Sequence, residues 1–472
     1  MVDKTRVTNR TFKIPHTYVL ISCIIIIAAL LTYIVPAGEY ARIEDPNTGR
    51  TVVDPNSFTK VEGNPVNPFE VLTAVPRGMM AAAQITFFIF IVAGSFQIIT
   101  STGAIEAGIY KVASMLRGKE QLLIPIFIFI FSLTGAFLGF AEENIVFIPV
   151  AISLARALGY DAIVGMSLVT LGGAVGFNSG IMNPFTVGIA QGIAELPLFS
   201  GIGLRIIIWI VFLSVSVYYV MRYAKKIKDR PELSLIADVE LEERKNKTVD
   251  LTEEKTLSPS HYLVFLTLAA GLAIIVYGVY EFGWYINEIA AVFLGMGLIS
   301  GAIGRINPNQ MAQEFINGAR GIIFGALVVG IARTILIVLQ DGIILDSIIY
   351  GLASVISGLP KSLSAVGMFL VQSLINFAIP SGSDQAATTM PIMVPLADIL
   401  GLTRQTAVLA FHFGDGFSNT FTPTASTLMA SLSIAKISYD KWIKYYGKPF
   451  FIWRLMGAVF MVIAVIINYG PF

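Results

Sequence analysis

One stretch limits what this chain can become. Residues Phe411 to Thr424 read F-H-F-G-D-G-F-S-N-T-F-T-P-T and lie between two apolar runs. The stretch holds Asp415, Gly414 and Gly416, the triplet Ser418-Asn419-Thr420, and Pro423. Such a string cannot continue a regular helix facing lipid, because exposed backbone groups and a carboxylate have no partner there. Non-helical backbone at membrane depth is tolerated only where it lines protein or a water-filled cavity. The expectation is a helix broken near the bilayer midplane, with its loop and half-helix ends binding an ion or a substrate. A second copy lies upstream, Gly176-Phe177-Asn178-Ser179-Gly180-Ile181-Met182-Asn183-Pro184. The same device occurring twice points to a transporter.

Composition agrees. The chain has 472 residues, 55% hydrophobic and 13% charged, against about 25% charged in soluble proteins. Lys+Arg 32 against Asp+Glu 31 gives no basic surplus that would suggest nucleic acid. Cys23, the single cysteine, excludes an intramolecular disulfide, and no Cys/His cluster has metal-ligand spacing. The run Tyr18 to Val35 is long enough to span, so it reads as a retained first helix rather than a cleaved signal.

A spanning helix needs about 20 apolar residues. Runs of that kind cover 17–36, 79–100, 201–223, 260–281, 284–304, 319–340 and 448–469. Lys4, Arg6, Arg10 and Lys13 place the N-terminus in the cytoplasm by the positive-inside rule. The first loop, 37–76, then lies outside. Ile105 to Leu116, with Glu106, Lys111 and Arg117 at its borders, suits an interfacial amphipathic helix. Residues 120–158 form two apolar arms around Gly139-Phe140-Ala141-Glu142-Glu143-Asn144, which predicts a re-entrant hairpin. The first broken helix follows over 161–195, then a helix over 201–223. A hydrophilic cytoplasmic linker occupies 224–258 and opens on Ala224-Lys225-Lys226-Ile227-Lys228.

The second half repeats the first. Ile109–Gly118 aligns with Ile349–Gly358, sharing five of ten residues at a separation of 240. Pro149–Gly159 aligns with Pro391–Gly401 at 242, a register that puts Glu142 on Asp384. The first repeat is residues 1–223. The second is 259–472, with an extra helix at 260–281, a hairpin at 361–399, a broken helix at 403–436 and a helix at 448–469. Counting crossings makes the copies run oppositely, with nine crossings, two hairpins and the C-terminus outside. Arg305, Lys436, Lys441, Lys444 and Lys448 then fall inside; Lys361 and Arg404 are exceptions. The fold class expected is an all-α polytopic membrane protein with inverted repeats, in a cell (inner or plasma) membrane.

Three groups of residues carry the chemistry. The hairpin tips offer Glu142, Glu143 and Asn144, then Ser381, Gly382, Ser383, Asp384 and Gln385. Intramembrane carboxylates are costly and mark ion, ammonium or proton sites. The helix breaks offer Asn178, Ser179, Asn183 and Thr186, then Asp415, Ser418, Asn419, Thr420, Thr422 and Thr424. Hard cations take such oxygens, and half-helix N-termini favour anions; polar helix packing is the plainer role for the same side chains. Arg333 lies inside the run 319–340 and could bind a carboxylate bidentately or pair with Asp384 or Asp415. His412 reads as a packed histidine or a proton relay.

At these residues the sequence resembles a family. The paired G-F-N-S-G…N-P and D-G-F-S-N-T-F-T-P elements, the tips and the loop placement are similar to the YfcC family over nearly the whole chain. That family groups with the DcuC-type anaerobic C4-dicarboxylate carriers in the ion transporter superfamily. The resemblance implies a secondary carrier with two hairpins and two broken helices, a homodimer moving substrate by an elevator motion. The related p-aminobenzoyl-glutamate transporters have the same nine crossings and two hairpins. Ser418-Asn419-Thr420 is similar to the Ser-Asn-Thr signature of sodium-coupled dicarboxylate carriers, where it helps bind sodium and a carboxylate. The candidate sodium ligands are thus Asn178, Ser418, Asn419 and Thr420, although the first copy departs from the signature as Asn178-Ser179-Gly180. The coupling ion is expected to be Na+ or H+, and no other cofactor is expected.

The expected function is therefore secondary active transport, by antiport or cation symport, of a small charged metabolite. Four carboxylates (Glu142, Glu143, Asp384, Asp415) face Arg333 alone, which favours an amino acid, a basic one such as arginine or ornithine, over a C4-dicarboxylate. An intramembrane aspartyl protease using Asp161 and Asp415 is a remote alternative. It wants Gly-x-Gly-Asp, and His412-Phe413-Gly414-Asp415 lacks the first glycine. A channel is disfavoured by the inverted repeat, so the chain is not expected to be an enzyme or a pore.

Overall fold

The computed structural model describes residues 17–44, 51–54, 56–116, 118–141, 143–246, 257–282, 284, 286–321 and 323–470. Lys4, Arg6, Arg10, Lys13, Arg117, Glu142 and part of the 224–258 linker lie outside these residues. The first half runs α1 (Thr17–Leu31), short strands β1 (Gly38–Glu39), β2 (Arg42–Glu44), β3 (Thr51–Val53) and β4 (Thr59–Lys60), then α2 (Pro68–Ala81), α3 (Ala83–Ser101), α4 (Ala104–Met115), α5 (Leu123–Leu133), α6 (Ile148–Ala157), α7 (Ala162–Ser179), α8 (Ile189–Ile193) and α9 (Ile202–Asp229). The linker forms α10 (Ala237–Asn246). The second half runs α11 (Pro259–Phe282), α12 (Ile286–Ile303), α13 (Pro308–Gly321), α14 (Ile323–Asp341), α15 (Leu345–Ser357), α16 (Lys361–Ala378), α17 (Gly382–Ile399), α18 (Arg404–Ser418), α19 (Ser426–Ala435) and α20 (Tyr439–Ile466). β1 pairs with β4 and β2 with β3, both antiparallel.

The repeat seen in the residues is also a repeat of elements. α2 and α13 start and end 240 residues apart, and so do α3 and α14. At the same separation α12 falls on the positions that hold β3 and β4 in the first half. Packing is exchanged in the same way: α2 lies on α14 and α3 on α13, α5 and α6 pack on α7, and α16 and α17 pack on α18. A two-fold-related pair of halves would produce this pattern.

Among the described residues, seven helices are long and apolar enough to cross a membrane, or eight if α13 with α14, bent by 56°, counts as one. Two of the seven, Glu120–Phe137 and Lys361–Ala378, lie in the segments expected to form hairpins. The runs over 79–100 and 319–340 are not single helices. Each begins in the last residues of a more polar helix, α2 or α13, and continues in α3 or α14. α2 begins by local chemistry: Asn67 accepts from Phe69 N and Glu70 N, Glu70 accepts from Asn67 N, and Pro68 takes the first position.

Both broken helices begin on capping residues 242 apart. Asp161 accepts from Val164 N, and Thr403 from Thr406 N. α7 is the interior element, with 89% of its span buried against 33% for α9. It runs close to α5 because Gly176 has no side chain: a Cβ there would overlap Ser132 O.

Candidate functional site

α7 stops where Gly180 takes a left-handed conformation, φ 55° and ψ 44°. After a short turn Asn183 accepts from Phe185 N and Thr186 N, and Pro184 opens the second half-helix. α18 stops at Ser418; Pro423 lies in the turn before α19. Both expected breaks are present.

The two hairpin tips and the two breaks meet around one cavity of about 130 Å³. That is room for roughly ten water-sized positions, a volume suited to a small metabolite. The first tip contributes Gly139–Ala141 and Glu143–Ile145; the second contributes Pro380–Ser383. α7 adds Thr170, Gly173 and Phe177, and the segment after its break adds Phe185 and Thr186. The second break adds Gly416, Asn419, Thr420 and Ala425–Leu428.

Glu143 and Asn144 are buried at the first tip. Glu143 Oε2 accepts from Ala141 N at 3.1 Å, Asn144 Nδ2 donates to Phe140 O at 3.2 Å, and Thr134 Oγ1 donates to Asn144 Oδ1 at 3.1 Å. These bonds fix a loop that apolar packing alone would leave loose.

The second tip differs from expectation. Gly382, Ser383, Asp384 and Gln385 are the first turn of α17 rather than a loop, with Ser381 as the N-cap. Ser383 lines the cavity. Asp384, next to it, is half exposed and faces Arg333 of α14, whose Nη2 lies 3.4 Å from Asp384 Oδ2. Gln385 turns the other way and is buried.

Asp415 is fully buried, one turn before the end of α18. Its Oδ1 accepts from Asn376 Nδ2 at 2.9 Å and from Asn419 Nδ2 at 3.1 Å. Its Oδ2 points toward Gly382 at the N-terminus of α17, where the helix dipole favours negative charge. Behind it runs a buried relay: Asn376 Nδ2 also donates to Gln385 Oε1, Gln385 Nε2 donates to Gln372 O at 2.8 Å, and Gln372 Nε2 donates to Thr389 Oγ1 at 2.9 Å. Sequence reasoning missed Gln372, Asn376 and Thr389. The signal was available: Gln372 and Asn376 stand four apart on α16, Gln385 and Thr389 four apart on α17, so each pair shares one helix face.

Several candidate hydroxyls first serve the helix. Ser179 donates to Gly176 O, Ser418 to Gly414 O, and Thr422 to Ser418 O. Thr420 Oγ1 lies 3.0 Å from the Tyr446 hydroxyl. Their lone pairs stay available to a cation. Asn178 does not line the cavity. It is fully buried, its amide has no hydrogen-bond partner among the described residues, and a Cβ on Gly416 would overlap its Oδ1. Asn178 therefore reaches from the first break to the second. His412 is buried with its ring on Phe177, centroids 5.9 Å apart.

Residues 14–466 match the family model of the C4-dicarboxylate anaerobic carrier, DcuC. The chain belongs to that family. It is 36% identical to the Escherichia coli (strain K12) protein named "Putative basic amino acid antiporter YfcC", over 97% of this chain and 96% of that one. Among solved structures it is similar to the YdaH transporter of Alcanivorax borkumensis, with 15% identity, TM-score 0.42 and coverage of 97% of this chain and 100% of that one. It is also similar to MtrF of Neisseria gonorrhoeae, described with a class of antimetabolite efflux pumps, with 16% identity, TM-score 0.45 and coverage of 96% and 95%. This member of the DcuC family is an all-α polytopic membrane protein and a transporter of small molecules.

Proposed function

We propose that this DcuC-family member is a secondary active carrier of an amino acid, with a basic one preferred, coupled to Na+ or H+. The observation that carries this reading is the ion pair beside the cavity-lining Ser383. Asp384 and Arg333 sit on different helices, 3.4 Å apart, with side chains 52% and 28% exposed. An exposed pair of this kind is worth little by itself and is open to exchange. An amino acid brings both partners: its ammonium suits Asp384 and its carboxylate suits Arg333. A basic side chain would then run into the cavity toward Glu143 and Asn144. The cation would be held by Asp415 with Asn178, Ser418, Asn419 and Thr420, whose oxygens are the hard donors Na+ takes. The exchanged packing of the halves supports inverted repeats; an elevator motion and a homodimer complete the proposal.

A C4-dicarboxylate is the second reading, favoured by the family description and by the N-terminus of α17 at the cavity. Counterflow separates the two. Proteoliposomes loaded with labelled arginine should release label when unlabelled arginine or ornithine is added outside. Release driven by succinate or fumarate and not by amino acids would replace the first reading with the second.

A further inference from the structure

The two helix breaks are closed by side chains of different charge. α9 and α20 each follow a broken helix, and in each the fourth residue turns back onto it. In the second half this is Trp442, whose Nε1 donates to Thr420 O at 3.1 Å. In the first half it is Arg205, whose Nη1 donates to Gly180 O at 3.4 Å. Gly180 and Thr420 stand 240 apart, the separation of α2 from α13 and of α3 from α14, while Arg205 and Trp442 stand 237 apart. Both capping side chains are fully buried. One freed carbonyl thus meets a neutral indole and its counterpart meets a permanent cation.

A guanidinium at full burial is costly unless something offsets its charge. Arg205 makes no ion pair among the described residues, and its Nε and Nη2 have no hydrogen-bond partner among them. The Tyr469 hydroxyl donates to Gly201 O and turns its oxygen toward Arg205, a neutral acceptor that does not cancel the charge. His412, against Gly180 on the other side, brings no negative charge. What Arg205 faces is the C-terminal end of α7, with the partial negative charge of its last carbonyls. At the second break the negative charge is Asp415; the residue 240 positions earlier is Val175.

We propose that Arg205 is a built-in cation of the first break, standing where a mobile cation would otherwise bind, so that the carrier takes its coupling cation at the second break alone. The proposal rests on the cation coupling put forward above. Like charges close together in a low-dielectric interior repel strongly, so Arg205 keeps a second cation away from Gly180. Asn178 is left to serve the second break across Gly416.

Thermal unfolding of the purified full chain tests this, titrating NaCl against choline chloride at constant ionic strength. The wild type should be stabilised along a single-site curve, with a linkage coefficient (the limiting slope of stabilisation against RT ln [Na+]) of about 1. R205Q should add a second sodium-dependent step, moving the coefficient toward about 2, while R205K should keep the wild-type curve. An R205Q curve identical to wild type, or two sites in the wild type, overturns the proposal. A wild type that ignores sodium counts against sodium coupling instead; a sodium response appearing only in R205Q would still support Arg205 as the fixed cation, and none would overturn it. If R205Q does not fold, the wild-type and R205K curves decide: one site supports the proposal and two sites overturn it.

Discussion

The two halves share a backbone plan and differ in what they bury. Behind the second break, Asp415, Asn376, Gln385, Gln372 and Thr389 form a buried polar relay joining both arms of the hairpin to α18. At the separation of 240, Asp415 and Asn376 are replaced in the first half by Val175 and Ala136, and Gln372 by Ser132. There the hairpin and α7 approach so closely that Gly176 meets Ser132 O. Close packing holds the first half; hydrogen bonds to a carboxylate hold the second. Duplicating a fold thus copies its geometry and leaves its buried charge free to change: Asp415 lies at the second break, and Arg205 and Glu143 lie in the first half.

The largest effect should come from removing the Asp415 charge. D415N should lower substrate binding and uptake by about 100-fold, because it replaces one of the carboxylate oxygens that accept from Asn376 and Asn419 or face the N-terminus of α17. V175A, at the matching position, should leave uptake within about twofold of wild type. Uptake by proteoliposomes measures both, and equal losses would remove the contrast between the halves.

Next come the relay residues. Q372L or N376L strands buried donors and acceptors, which costs about 1–3 kcal/mol of stability for each variant. S132A should cost about 1 kcal/mol or less, since its hydroxyl meets only Phe129 O and Trp209 Nε1. Thermal unfolding of the three proteins gives the order.

A smaller effect is expected at the ion pair beside Ser383. R333Q should raise KM for an amino acid about tenfold and change stability by less than about 0.5 kcal/mol, since its ion pair is partly exposed. An unchanged KM would remove Arg333 from the site. The smallest effect on transport is expected at the base of α7. Glu240 of the linker helix binds Arg156 and accepts from Ala162 N, while Tyr223 and Ser234 donate to Asp161. E240Q should lower the melting temperature by the equivalent of about 1–3 kcal/mol and leave KM unchanged; a shifted KM would mean that the linker reaches the site.

The breaks were legible because their causes are local. Pro184, Pro423, and the capping residues Asp161 and Thr403 act on their own neighbours, so sequence displays them. The meeting of the tips with the breaks was legible through the repeat. Asp384 was harder: position in the hairpin suggested burial, but the first turn of α17 sends Gln385 inward and Asp384 outward, a choice made by helix phase. Nothing local to Arg205 shows that it is buried, because its burial depends on α7 and on Tyr469 far along the chain. α2 and α13 were missed because polar residues and Pro76 lower their hydropathy while tertiary packing keeps them helical.

A density map of the full-length carrier saturated with arginine and sodium tests the central claim most directly. The map should show arginine between Asn144 of the first tip and Ser383 of the second, its carboxylate on Arg333, with a cation beside Asp415 and none beside Gly180. Arginine bound outside this cavity, or a cation at the first break with the second empty, would contradict it.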